Sequence, residues 1–449
     1  MKRTSGLVAL TGIAALLLTA CGGDAEETDT GSGDTGEVSE ETGDAAEETG
    51  DAAEETEEAA EGEEEEEAAP VRDQNAELVI WADDVRAPIL TEYAEQFGEE
   101  YGITTQVQVA TDVREQYKNA TNVDQGPDIV VGAHDWLGEF VQDGSVEPVQ
   151  MSAETQEQFT PESIEATQYN GQIYGVPYAT ENLGLIRNVD LVPDAPATME
   201  EMIEAGNALV DSGDAEAPMM TPVGQQGDAY HAFPYLSAYG GGIFGTNDDG
   251  GWDPGTVIVD SDETVQGAEK VAWLGEEGAL SKSVDSTTME ALFTEGRVPF
   301  IVTGPWTVAN VEGAGINYEI TPIPEFEDGG DPLPFLGVQM FYVSSQAQNA
   351  ALAQEFVNQY VPTMEMQMAL FEAGQRPPAL VEALDQVSAE DEDIAAWAEA
   401  GEGAVPMPNI PAMNAVWGPL GQATADVADG DDPAERMSAA QEEITANIG

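Results

Sequence analysis

Between Leu78 and Val131 the hydrophobic pattern changes period repeatedly, and few folds accommodate that. Leu78-Val79-Ile80-Trp81 is an apolar run of strand length. Ile89, Leu90, Tyr93, Phe97 and Tyr101 then recur at spacings of three and four, the signature of an amphipathic helix. Gly102 stands where such a helix would stop. Ile103 to Val109 alternates as a second strand, Gln125-Gly126-Pro127 marks a turn, and Asp128-Ile129-Val130-Val131 is a third strand. A β-α-β-α-β order predicts a parallel sheet with helices on its faces, hence an α/β fold that begins near Glu77.

The chain has 449 residues, enough for two or three domains, and its 41% hydrophobic content is enough for real cores. Its charge narrows the partners. Twelve Lys and Arg face 88 Asp and Glu, a formal net charge of -76. Such a surface repels phosphate backbones, so nucleic acid is excluded as a partner. It stays hydrated in high salt, which fits a saline habitat or a generally acidic secreted proteome. Cys21 is the sole cysteine, so no intrachain disulfide forms, and with only His134 and His231 a Cys/His zinc site is excluded. No cofactor is expected.

The N-terminus reads as a targeting segment. Lys2 and Arg3 precede an apolar stretch from Leu7 to Leu18, too short and too early for an ordinary spanning helix. Leu18-Thr19-Ala20-Cys21 closes residues 1–21 and resembles the lipobox of bacterial lipoproteins, in which the cysteine becomes the lipidated first residue. Residues 22–70 form a Glu/Ala/Gly/Asp/Thr tract that cannot bury enough apolar area to order itself. The reading is a tether that holds the folded part off the outer face of the cell membrane.

A second constraint lies at Phe300–Trp306, Phe-Ile-Val-Thr-Gly-Pro-Trp. Phe300, Ile301 and Val302 read as a buried strand, and Gly304-Pro305 stops it because proline cannot donate to a ladder. Trp306 is left just past the strand end, where ligands of open α/β sheets sit. There an indole serves either as a flat platform for an amphipathic ring or as a plug for the core beneath its loop.

Several of these stretches together resemble the bacterial maltose/maltodextrin-binding proteins, extracytoplasmic receptors of sugar ABC importers. They are Glu77–Trp81, Gly126-Pro127-Asp128-Ile129, Ala133-His134-Asp135, Tyr169-Asn170-Gly171, Pro177–Leu183, Thr303–Trp306 and Pro406–Pro411. The resemblance runs in order from about residue 77 to 449. It implies a two-lobed periplasmic-binding-protein type II clamshell, each lobe a mixed sheet flanked by helices. Lobe one would take 71–181 and 336–387, and lobe two 184–335 and 390–449. It further implies a monomer that captures a maltooligosaccharide or similar sugar in the cleft and delivers it to ABC permease transmembrane subunits.

The resemblance also assigns roles. Asp135 and Glu181 match carboxylates that bind sugar hydroxyls, and Asp228 matches a further acidic hydrogen-bonder. Tyr230, Trp306 and Trp417 match stacking aromatics, Met407 matches a methionine lining the cleft, and Arg86 falls near a ligand-binding lysine. His134 is expected to be structural. The chain departs from its best-known relatives at Gly132, where they place a stacking tryptophan. It departs again at Trp136 and Gly421, where they place arginines. An indole has thus moved four residues along, and one subsite has been rebuilt. Two other readings compete. A glycoside hydrolase would use two of these carboxylates. A receptor for polyamines or metal ions on the same fold is disfavoured: there is no Tyr pair or His cluster for iron, and two stacking tryptophans beside hydroxyl-binding carboxylates fit sugars better.

Overall fold

The computed structural model describes residues 70–247 and 251–449. The readings of the signal segment, of Cys21 and of the acidic tract up to residue 69 lie outside the described residues. Folding starts earlier than the apolar pattern indicates. Arg72 is buried, and its guanidinium meets the buried Asp128 carboxylate at 2.7 Å. Asp128 also accepts the Val79 and Gln348 amides. The ion pair therefore stitches the chain just ahead of the first strand to the start of the third. Hydrophobic periodicity carries no trace of such a contact.

The first three strands form as expected: Leu78–Ala82, Thr105–Val109 and Ile129–Ala133. The first lies between the other two and is parallel to both. The helix Ala87–Tyr101 ends on Gly102, whose φ of 69° is left-handed and favours glycine. The sheet is not purely parallel. The strand Phe335–Ser344 enters it antiparallel to Ile129–Ala133 on one side and to Gly175–Glu181 on the other. Ten residues long and buried along nearly its whole length, it is the spine of a seven-stranded mixed sheet. Alternation puts Leu78 and Ile80 in one hydrophobic cluster and Val79 and Trp81 in another, so both faces are covered.

A second sheet has three strands, Gly184–Asn188 in the middle with Phe300–Thr303 and Tyr318–Thr321 beside it. Its three strands are antiparallel rather than mixed as expected, and among the described residues the one parallel contact to it is an isolated bridge, Met220 to Ile301. It too has a cluster on each face: Leu185, Phe300 and Val302 on one, Ile186 and Ile301 on the other. The chain passes from Glu181, the last residue of a first-sheet strand, to Gly184 of the second sheet through only Asn182 and Leu183. Register does the rest. Thr303 pairs with Gly184, and Gly337 pairs with Glu181. The residues after Thr303 are thereby delivered close to Glu181.

Candidate ligand-binding site

A cavity of about 630 Å³ opens where these strand ends meet. Asp135, Trp136, Glu181, Tyr230, Trp306, Met407 and Trp417 all line it. These are seven of the nine ligand-binding residues read from the sequence. Both sheets supply residues to it. Asp135 and Trp136 sit in a short 3-10 turn, His134–Trp136, directly after the third strand. Trp306 sits in a second such turn, Pro305–Thr307, directly after Phe300–Thr303. Trp417 opens the helix Trp417–Ala428.

The tryptophans are seated on glycines. The six-membered ring of Trp136 folds back over Gly132, where a Cβ would lie 1.8 Å from it. The ring of Trp306 covers Gly304 in the same way, with 2.1 Å to a would-be Cβ. Gly132 and Trp136 are therefore one unit: the absence of a side chain at 132 makes room for the indole from 136. Gly421 has a different partner. It packs against Gly227, whose φ of 79° and close approach to the Gly421 carbonyl leave no space for a Cβ at 227.

Polar groups between the aromatic faces are partly committed. Trp417 Nε1 donates to Asp135 Oδ2 at 3.2 Å, and Arg114 Nη1 lies 3.7 Å from the same oxygen. The other carboxylate oxygen, Asp135 Oδ1, is buried with no protein partner among the described residues, as is the Tyr230 hydroxyl. Burial pushes Asp135 above the ordinary carboxylate range against the pull of Arg114. Glu181 goes the other way. Burial would raise it, but the Arg376 guanidinium and hydrogen bonds from Arg376 and Gln339 outweigh that and hold it below its ordinary value. Burial also lifts the Tyr230 phenol well above its usual range.

His134 is structural. Its Nδ1 accepts the Val338 amide at 3.0 Å, which leaves the proton on Nε2 to be donated to the Met407 carbonyl at 3.0 Å. It thus ties Met407, a cavity residue, to the central strand.

Two expected residues do not line the cavity. Asp228 caps the helix Ala229–Ser237 by accepting the His231 amide at 3.0 Å, and its second oxygen meets His231 Nδ1 at 2.7 Å. Its carboxylate is consumed by its own helix. Arg86 is buried, paired with Asp83 at 3.2 Å and set over the Tyr178 ring at 5.5 Å. Each finds its ionic partner three residues away on the chain, His231 for Asp228 and Asp83 for Arg86. Arg114, Arg376 and Asn414, by contrast, line the cavity without having been singled out. Nothing local marks them: Arg376 reaches Glu181 across 195 residues of sequence.

Among the described residues, no group of three or more His, Cys, Asp or Glu is placed to hold a metal ion. The sequence profile of the bacterial extracellular solute-binding proteins matches residues 92–402. The chain belongs to this family. A galactooligosaccharide-binding protein of Bacillus subtilis is 28% identical over 391 residues, 85% of this chain and 91% of that protein. A maltotriose-binding protein of Pyrococcus abyssi is 30% identical over 360 residues, 77% of this chain and 76% of that protein. A maltooligosaccharide ABC transporter solute-binding lipoprotein of Streptococcus pneumoniae is 26% identical over 385 residues, 82% and 87% of the two chains. This solute-binding protein therefore has similar relatives, all named for binding rather than for turnover, along most of its length.

Proposed function

We propose that this chain is the substrate-binding lipoprotein of an ABC importer and captures maltodextrin or a related oligosaccharide. The observation that carries the reading is the cavity itself. Three indoles and a tyrosine present flat faces, and between them two buried acceptors, Asp135 Oδ1 and the Tyr230 hydroxyl, await donors. A pyranose has C–H faces to lay on the indoles and hydroxyls to donate to the carboxylate, a charge-assisted hydrogen bond of the stronger kind. The names of the relatives point to the same class of ligand.

The two sheets, each with its own cores, support a clamshell. Lobe one would be residues 71–181 and 336–387, and lobe two 184–335 and 390–449. The Glu181–Gly184 passage would serve as one hinge. Sugar held by one lobe recruits the other, shifting the equilibrium by as much as the closed form's extra affinity allows. The closed monomer then docks on the permease. Cys21, lipidated, would hold it at the outer face of the membrane, since two acyl chains anchor stably where one does not.

One observation favours a hydrolase: Asp135 is pushed up and Glu181 down, the split expected of an acid and a base. Against it, both oxygens of Glu181 already accept hydrogen bonds, from Gln339 and from Arg376, which hold it as a paired anion rather than a free base. The test is to titrate the purified protein calorimetrically with maltotriose, longer maltodextrins and galactooligosaccharides, then chromatograph the mixtures. Saturable binding with intact sugar is expected. Absence of binding to all of them, or release of shorter sugars, would overturn the proposal.

A further inference from the structure

Arg376 stands on a stiff stalk. The helix Met364–Gly374 ends at Gln375, a non-glycine residue in the left-handed region with φ of 53°, and Pro377 and Pro378 follow the arginine. The Thr180 amide donates to the Pro377 carbonyl and the Ala379 amide to the Tyr178 carbonyl, each at 2.9 Å. The segment is thereby laced to the strand that carries Glu181. The side chain is fixed as well. Its Nε donates to Glu181 Oε2, while Gln339 Nε2 holds the other carboxylate oxygen at 2.8 Å. Its guanidinium carbon lies 5.2 Å from the centroid of the Trp306 ring. The guanidinium therefore adjoins the Trp306 indole. Both terminal amino groups lack a protein partner among the described residues, and Arg376 lines the cavity.

We propose that Arg376 is a specificity-determining residue whose two terminal amino groups donate to neighbouring hydroxyls at the edge of the ring that Trp306 carries. This rests on the sugar-binding reading above. A guanidinium is a planar fork with fixed donor directions, and Glu181 sets its orientation in advance. A vicinal pair of free hydroxyl oxygens can accept from both prongs. The ligand edge is neutral. Glu181 already balances the Arg376 charge, Arg114 is taken by Glu139 and Asp135, and every described lysine and arginine is paired with a carboxylate. An anionic sugar therefore finds no spare cation, and the site takes a neutral sugar with adjacent free hydroxyls.

The test uses the full-length protein, calorimetry, and maltotriose beside analogues in which single ring hydroxyls are replaced by hydrogen. Arg376→Lys keeps a cation beside Glu181 but has no fork, and Arg376→Met removes the charge. The lysine variant is expected to melt close to the parent and to bind maltotriose at least tenfold more weakly. The parent is expected to lose affinity for one or two of the deoxy analogues, a loss that Arg376→Lys no longer shows. Parent-like affinity in the lysine variant would overturn the inference. So would a weakened variant that still penalises the same analogues as the parent does, since the arginine would then only support the wall. If the parent itself binds none of the sugars, the sugar-binding reading has failed and the inference with it. If Arg376→Met does not fold, the lysine variant alone decides.

Discussion

Gly132 shows how one residue sets a wall of the site. Gly132→Ala would place a methyl inside the Trp136 ring, so the indole must leave its seat. Overpacking of this kind costs about 1–3 kcal/mol. The variant should melt lower and bind sugar roughly tenfold more weakly, a difference of about 1.4 kcal/mol. Unchanged affinity by calorimetry would mean that Trp136 carries no sugar. His134 offers a second test at this scale. Burial lowers its pKa below the ordinary value, so the folded form stays neutral while the unfolded chain takes up a proton near pH 6.5. Stability should therefore fall as pH drops below about 6.5, by at most about 1.4 kcal/mol per unit. His134→Asn keeps an acceptor for the Val338 amide but does not titrate. Its denaturation free energy should vary less between about pH 5 and 6.5. Equal slopes in the two proteins would assign the pH response to other groups.

At the scale of elements, Asp228 separates capping from recognition. Asp228→Ala removes the cap of Ala229–Ser237 and should cost about 1 kcal/mol of stability. Sugar affinity should change little, and a loss comparable to that of a cavity residue would restore Asp228 to the site. Period and turn chemistry located the first three strands, the first helix and the Phe300–Thr303 strand, because these signals are local. The antiparallel entry of Phe335–Ser344 was not legible, since strand direction depends on which distant edge a segment meets. The site divides along the same line. Indoles just beyond strand ends announce themselves. A cap such as Asp228 imitates a ligand-binding carboxylate, and an arginine such as Arg376 acquires its partner only through the fold.

The whole molecule carries far more negative charge than its few cations can pair, and part of it lies in the N-terminal tract. Deleting residues 22–70 should leave melting temperature and sugar affinity nearly unchanged, and a large loss of either would show that the tract packs on the folded part. Cys21→Ser should release the protein from membranes while its sugar affinity stays intact. Retention in the membrane fraction after a high-salt wash would contradict lipidation. Trp306, as the platform for a sugar ring, is the residue on which capture most depends. The direct measurement is calorimetric affinity for maltotriose in Trp306→Ala, taken with the melting curve of the same protein. Loss of about 2 kcal/mol or more of binding is predicted, as for a central aromatic anchor. The loss of stability should be well below the 3–5 kcal/mol of a truncated core aromatic. A variant that unfolds, or that folds normally and binds with the parent's affinity, would make the indole a packing residue and place the sugar elsewhere.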